Sequence, residues 1–202
     1  MTGLRRLIAL TVAFACVAGS AAAGVMDPEP GDMGLGSAKA RVTVIEYASV
    51  GCPHCAVWSH DVFPTIKARY IDTGRVRFVM REMITGDPTI ATAGFMLARC
   101  AGPMKYFAVV DQVYSRQGEM WGKAANAGAV LGEIAKSVGM SEPDFEACID
   151  DQKGLDALNA RVAAHGKDGV SSTPTFFVNG KRYDEPLTLA QMAEAVHGGH
   201  RP

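Results

Sequence analysis

A strand-like run that ends in two closely spaced cysteines constrains this chain more than any other feature of its sequence. Residues 46–56 read Glu-Tyr-Ala-Ser-Val-Gly-Cys-Pro-His-Cys-Ala, where a β-branched stretch gives way to helical spacing of apolar residues. Two cysteines separated by two residues, between a strand and a helix, place one sulfur at the helix start and the second within its reach. The pattern predicts thiol–disulfide chemistry at this turn.

The first 23 residues have the pattern of a secretory signal peptide. Arg5 and Arg6 precede an apolar run, and the small residues 19–23 follow it, so we expect cleavage after Ala23. The apolar run is about 11 residues long, whereas a bilayer core requires about 20, so we expect no stable membrane insertion after cleavage. Lipoprotein processing at Cys16 is an alternative that the bulky Phe14 disfavours.

Composition and charge describe a globular exported protein. Hydrophobic residues make up 48% of the chain and charged residues 20%, which excludes a disordered polymer. Cleavage removes two arginines and no acidic residue from 20 basic and 21 acidic side chains, which leaves a net charge of −3. The sequence has no basic patch of the kind that binds nucleic acid, so we expect no nucleic-acid partner.

Four cysteines remain after the predicted cleavage, and an exported protein meets an oxidising environment. Cys52, Cys55, Cys100 and Cys148 allow three pairings. Because the close pair can bridge only a tight turn, the natural partition joins Cys52 to Cys55 and Cys100 to Cys148. The second bridge would then be a structural disulfide.

The mature sequence divides into a first α/β part, a helical part and a second α/β part, at residues 24–86, 87–166 and 167–202. Apolar residues recur with a period of 3.6 throughout the middle part, which predicts an all-helical insertion. Residues 24–40 read as an extended leader without a core of its own. Strands are predicted at 41–47 and 75–80, with a helix between them that starts at Pro53 and kinks at Pro64.

The last part begins with Ser172-Thr173-Pro174, directly before a strand-like run at 175–178. Asn179-Gly180 separates that run from residues 181–183, and this dipeptide between two strand-like runs is a strong hairpin signal. A final amphipathic helix is predicted at 187–196. The histidines outside the cysteine motif are expected at the surface: His60, His165, His197 and His200.

Three separated features together resemble the DsbA kind of disulfide oxidoreductase within the thioredoxin superfamily. They are Cys52-Pro53-His54-Cys55, the acidic Glu46 six residues before the first cysteine, and Thr173-Pro174 before the hairpin. The resemblance covers essentially the whole mature chain. It implies a thioredoxin fold, which is a central mixed sheet flanked by helices, with an inserted all-helical domain. It also implies a cis peptide bond before Pro174 and export to the periplasm.

The resemblance implies a role for each residue of the site. Cys52 is the reactive sulfur, and a helix start should lower the pKa of its thiol. Pro53 and His54 shape the motif, and His54 can add positive charge or a donor near the sulfur. Cys55 is the leaving group, and a buried Glu46 is expected to supply its proton. Thr173 and Pro174 are expected to bind substrate.

The expected function is donation of the Cys52–Cys55 disulfide to exported proteins that contain cysteine, through a mixed disulfide. The redox-active disulfide replaces any cofactor, we expect no metal, and a membrane redox partner should reoxidise a monomer. Thr173, where the best-studied oxidase has valine, keeps open an isomerase or reductase. A copper-handling or chaperone-like binding protein that uses the same cysteines is a further alternative.

Overall fold

A computed structural model of the chain describes residues 24–121 and 124–198. The predicted signal peptide, Cys16 and His200 lie outside the described residues. Within the described part of the chain, no helix is long and apolar enough to cross a membrane.

The described residues form one five-stranded mixed sheet with helices packed against it. The strand order is β1-β3-β2-β4-β5; β2 and β3 are parallel, and the other neighbouring pairs are antiparallel. This architecture confirms the predicted fold class. The strands are β1 (Met33–Leu35), β2 (Val42–Ala48), β3 (Val76–Glu82), β4 (Thr175–Val178) and β5 (Lys181–Tyr183).

Six of the described α-helices lie between β3 and β4, where the sequence predicts a helical insertion. They are α3 (Pro88–Cys100), α4 (Tyr106–Ser115), α5 (Gln117–Met120), α6 (Ala124–Ser137), α7 (Glu142–Ile149) and α8 (Gln152–His165), which a 3-10 turn (Gly166–Asp168) follows. The remaining helices are α1 (Pro53–Asp61), α2 (Phe63–Ile66) with a π-helical turn (Lys67–Ile71), and α9 (Leu189–Gly198).

Local sequence rules account for several of these boundaries. The Asp87 side chain accepts hydrogen bonds from the backbone N–H groups of Thr89 and Ile90, and so caps the start of α3. Asn179 and Gly180 have φ angles of 48° and 87°, the positive values that a two-residue hairpin turn between β4 and β5 requires.

The helix after the cysteines differs from its prediction. A single helix kinked at Pro64 was expected, but α1 ends at Asp61 and a new helix begins at Phe63. Pro64 occupies the first turn of α2, where its missing N–H would have no intrahelical partner. The proline therefore starts a second helix instead of bending the first.

The two faces of β2 pack against different apolar clusters. Val44, Glu46 and Ala48 alternate along the strand and face the main core, to which the inserted helices contribute. Ile45 and Tyr47 face a smaller apolar cluster on the other side of the sheet. Glu46 thus enters the main core as a carboxyl among apolar side chains, only 2% exposed.

The leader prediction for residues 24–40 is wrong in one respect, because this segment is built into the fold. Its residues 33–35 form β1, which pairs with β3 at the sheet edge. Val25 and Met26 pack against the smaller cluster. The segment is also held by Arg81, whose side chain is fully buried and donates 2.7 Å hydrogen bonds to the carbonyls of Val25 and Asp27.

The inserted helices are fastened to the sheet through Glu82, which is fully buried at the end of β3. Its carboxylate accepts hydrogen bonds from Arg99 at 2.6 Å, Arg161 at 2.7 Å and the Tyr106 hydroxyl at 3.0 Å. These donors come from α3, α8 and α4, so one carboxylate connects three inserted helices to β3. A disulfide between Cys100 and Cys148 also joins α3 to α7.

His165 is not the surface residue that the sequence analysis expected. It is 3% exposed, and its Nδ1 lies 2.8 Å from the backbone carbonyl oxygen of Glu82. Its position at the end of α8 places the ring against the sheet, where a polar partner is available. His60 and His197 are exposed.

Candidate active site

Cys52 and Cys55 lie where β2 leads into α1. Cys52 is the residue that precedes the first helical turn, with φ −97° and ψ 122°, and Pro53 occupies the first helical position. Cys52 is 7% exposed and Cys55 is fully buried, so only Cys52 is accessible to a macromolecular partner. The two sulfurs are free thiols in this structure.

The surroundings of Cys52 favour its thiolate. A hydrogen bond from the Cys55 thiol is the largest influence, and it outweighs partial burial to lower the pKa of Cys52 to about 5. Thr173 and the backbone N–H groups of Cys55 and His54 act in the same direction. These N–H groups belong to the first turn of α1, where backbone donors have no intrahelical partner. Cys52 is therefore mostly ionised at neutral pH.

Cys55 and Glu46 are shifted in the opposite direction. Burial raises the pKa of the Cys55 thiol well above its ordinary value of 9.0, so this sulfur takes up a proton readily. Burial, followed by the negative charge of Cys52, raises the pKa of Glu46 from 4.5 to about 8. Glu46 is therefore protonated at neutral pH. A thiolate, a neutral thiol and a neutral carboxyl thus share one buried region.

A small cavity lies against Glu46 between the sheet, α1 and α4. Its volume of about 30 Å³ is enough for a water molecule. Ser59 and Asp111 also line it, and Asp111 is exposed, so the cavity leads from the buried carboxyl toward the surface. The Oε1 atom of Glu46 has no protein hydrogen-bond partner among the described residues. The Tyr114 hydroxyl is likewise buried without a described partner.

The loop before β4 faces the reactive sulfur. The peptide bond between Thr173 and Pro174 is cis, and Pro174 is buried. The Cys52 sulfur lies 3.3 Å from the carbonyl oxygen of Thr173, to which it donates when the thiol is protonated. Cys52 and Thr173 are distant in the sequence. The resemblance assigns both to the site, and the structure places them in contact.

The turn that carries Cys52 is held by residues to which the sequence analysis gave no role. The Ser49 hydroxyl donates to the Thr85 carbonyl at 2.8 Å, and the Gln117 side chain donates to the Val50 carbonyl at 2.8 Å. Gly86 has φ +72°, and a Cβ there would clash with the carbonyl oxygen of Gly51. Only glycine permits this approach of the two backbones.

The other predicted site features are placed as follows. Pro53 and the His54 side chain are exposed beside Cys52, and the His54 backbone N–H contributes to the pKa of the sulfur. Cys100 and Cys148 form their bridge away from this turn, within the inserted helices. Among the described residues, no group of three or more His, Cys, Asp or Glu side chains is arranged to hold a metal ion.

Comparison with known proteins places the chain in a family. The thioredoxin family model matches residues 29–197. The chain belongs to the thioredoxin family. A provisionally named protein-disulfide oxidoreductase of Rickettsia typhi is 34% identical over 167 residues, which cover 82% of this chain and 60% of that protein. The chain thus spans less than two thirds of the length of this relative.

Solved structures of thioredoxin-family proteins show the same relationship. α-DsbA1 of Wolbachia pipientis is 28% identical and superimposes with a TM-score of 0.76 over 86% of this chain and 92% of the other. BdbD of Bacillus subtilis, at 22% identity, shares the fold with a TM-score of 0.73 over 84% of this chain and 92% of its own. The resemblance to DsbA-type proteins is therefore confirmed.

The opposite pKa shifts in this thioredoxin-family site predict an unusual pH dependence for the reduced protein. The lowered pKa of Cys52 stabilises the folded state above pH 9, and this contribution is lost as the pH falls toward about 5. The raised pKa of Glu46 has the opposite sign, because its contribution is present below pH 4.5 and lost as the pH rises toward about 8. The two contributions therefore oppose each other between about pH 5 and 8.

Replacing Glu46 by glutamine should remove the contribution to stability that is lost as the pH rises. The unfolding free energy of reduced Glu46→Gln, minus that of the reduced wild type, is expected to increase with pH by up to about 1.4 kcal/mol per unit between pH 5 and 8. Urea unfolding of both reduced proteins at each pH measures this difference. The exposed Glu185→Gln is the control for removal of a carboxyl at the surface. Parallel curves for Glu46→Gln and the wild type would contradict the raised pKa of this carboxyl.

Proposed function

We propose that this protein is an exported thiol–disulfide oxidoreductase that donates its Cys52–Cys55 disulfide to other proteins. The observation that carries the proposal is the set of donors around Cys52, which lowers the pKa of its thiol to about 5. Stabilisation of the thiolate favours the reduced form over the disulfide, so the disulfide is readily transferred. The name of the Rickettsia typhi relative, a protein-disulfide oxidoreductase, describes the same class of chemistry.

The proposed reaction has two exchange steps. A substrate thiolate attacks the Cys52 sulfur of the disulfide, which forms a mixed disulfide and releases Cys55 as a thiolate. A second substrate thiolate then attacks the substrate sulfur of the mixed disulfide, and Cys52 leaves as a thiolate. The substrate is oxidised to a disulfide while the protein gains two electrons. Cys52 is the attacked atom because it is the more accessible sulfur.

The Cys55 thiolate requires a proton, and we assign its supply to Glu46. This carboxyl is protonated at neutral pH because burial raises its pKa to about 8. The pKa of Cys55 is higher still, so proton transfer from the carboxyl to the thiolate is favourable. A water in the adjacent cavity, which Ser59 and Asp111 also line, would return the proton to Glu46 from the surface.

Substrate binding is assigned to the backbone around the cis-proline. Thr173 and Pro174 lie beside Cys52, in the loop that leads into β4. An extended substrate segment can pair with backbone at such a position in the manner of an added strand. The proposed partners are exported proteins with free cysteines and a membrane protein that reoxidises the pair. The signal peptide at residues 1–23, a periplasmic location and a monomeric state belong to the same proposal.

A glutathione redox titration of the Cys52–Cys55 pair tests the direction of the reaction. We expect a reduction potential between about −120 and −180 mV, together with a Cys52 pKa well below that of free cysteine, measured by thiolate absorbance. A potential near −270 mV would show a reductant and overturn the proposal. Thr173 leaves isomerase activity as an alternative, so the test also compares a reduced substrate with one that has scrambled disulfides. We expect faster action on the reduced substrate.

A further inference from the structure

Two threonine hydroxyls meet beside the reactive sulfur. The Oγ1 atoms of Thr85 and Thr173 are 2.5 Å apart, although the residues are 88 positions apart in the chain. Thr173 precedes the cis-proline, and Thr85 lies in the loop between β3 and α3. Neither residue is fully exposed, so this hydrogen bond is partly shielded from water.

The hydroxyl of Thr173 can serve only one acceptor at a time. A hydroxyl has one proton to donate and two lone pairs that accept. When Cys52 is a thiol, it donates to the Thr173 carbonyl at 3.3 Å, but a thiolate has no proton for that bond and requires donors instead. After the hydrogen bond from Cys55, the Thr173 side chain makes the next largest hydrogen-bond contribution to the lowered pKa of Cys52.

Thr85 is fixed in the position from which it can donate to Thr173. Its carbonyl accepts from the buried Ser49 hydroxyl at 2.8 Å, and its own N–H points to the same Ser49 oxygen at 3.3 Å. The Ser49 oxygen also accepts from the N–H of Gly51, next to Cys52. The loop that carries Thr85 is therefore tied to the turn that carries the reactive sulfur.

We propose that Thr85 is a positioning residue that donates its hydroxyl proton to Thr173 and so directs the Thr173 hydroxyl proton toward the Cys52 thiolate. The change on reduction is a rotation of two hydroxyl groups, and no proton leaves either oxygen. In the disulfide form Cys52 bears no charge, so the hydroxyls of Thr85 and Thr173 are free to reverse the direction of their hydrogen bond. The difference between the two redox states gives Thr85 an influence on the stability of the reduced form.

Replacement of Thr85 by valine tests the proposal, because valine keeps the shape and removes the hydroxyl. The pKa of Cys52, followed by thiolate absorbance of the reduced protein, should rise by about half a unit to one unit in Thr85→Val. The equilibrium constant for oxidation of glutathione should fall by about threefold to tenfold. Thr85→Ser retains the hydroxyl and should titrate like the wild type. The exposed Thr89→Val, in the first turn of α3, is the control for loss of a nearby threonine hydroxyl, and no shift is expected there.

A double substitution separates positioning from a general structural effect. If Thr85 acts through Thr173, then Thr85→Val should add no further shift to the Thr173→Val protein. A full additional shift in that background, or an unchanged pKa in the single variant, would overturn the proposal. Circular dichroism and the thermal midpoint identify a variant that does not fold, in which case Thr85→Ala replaces it.

This inference deepens the proposed function, because it concerns the same sulfur, but it can fail separately. The titration contains no substrate protein, so it reports the thiolate and not the direction of exchange. A reducing potential with the expected Thr85 shift would overturn the proposed function and leave the positioning role intact. The expected potential without that shift would do the reverse.

Discussion

Replacing Cys52 by serine is expected to reduce disulfide donation to the rate of the uncatalysed mixture, a loss of about a thousandfold or more. Serine cannot form the disulfide that is transferred, and Cys55 cannot substitute for Cys52 because it is fully buried. The measurement is the oxidation rate of a reduced peptide with two cysteines, with glutathione disulfide as the terminal oxidant. Substantial activity in Cys52→Ser would assign the chemistry to another sulfur.

Variants of Cys55 should behave differently, because they keep the reactive sulfur. Cys55→Ser also retains a hydroxyl that can donate to Cys52, whereas Cys55→Ala removes the largest of the influences that lower the pKa of Cys52. A hydrogen bond to a charged group contributes about 1.5–3 kcal/mol, so the pKa should rise by about one to two units in the alanine variant. The serine variant should stay closer to the wild type and accumulate mixed disulfides with substrate. Equal pKa values in the two variants would contradict this origin of the acidity.

Replacement of Arg81 by methionine should destabilise the protein by about 3–5 kcal/mol, the usual effect of removing one partner from a buried charge network. Arg81 is fully buried and lies 2.7 Å from Glu29 and 3.2 Å from Asp32. It also donates to the Tyr47 hydroxyl at 2.7 Å. Methionine fills much of the same volume but leaves these acceptors without a cation. Guanidinium unfolding of the oxidised protein measures the loss.

Arg116 provides the matched control for this experiment. It forms ion pairs of 2.7 Å with Glu119 and Glu133, so it has a comparable number of close carboxylates. Those carboxylates are more than half exposed, and exposed ion pairs contribute about 1 kcal/mol or less. Arg116→Met should therefore be nearly neutral. Arg81→Lys should lie between the two methionine variants, since it keeps the charge but not the planar set of donors. A loss below about 1 kcal/mol in Arg81→Met would contradict the structural role.

The parts of the fold that depend on short sequence patterns could be predicted. The Asn179-Gly180 turn requires two positive φ angles, and few other dipeptides adopt them readily. Asp87 before Pro88 marks a helix start through its own side chain. The spacing of Cys52 and Cys55 alone is enough to predict thiol–disulfide chemistry. In each case the neighbouring residues carry the information.

The supports of the site could not be read in this way, because their partners are distant in sequence. No local pattern connects Thr85 to Thr173, or Gln117 to Val50. The sequence does contain a local signal for the buried positions of Arg81 and Glu82. These two charged residues continue a strand-like run, and the prediction ended the strand at Met80. Charges inside a buried strand require partners, and those partners are in the leader and the inserted helices.

The anchoring of residues 24–32 fixes an order of events in the life of the chain. Glu29 and Asp32 in this segment pair with Arg81, which also lies 3.7 Å from Asp168. The Nε2 atom of His165 lies 3.5 Å from Glu29. Because synthesis proceeds from the amino terminus, the contact of Glu29 with His165 can form only after about 140 further residues have been made. Residues 24–32 thus complete their contacts only after α8 has been made.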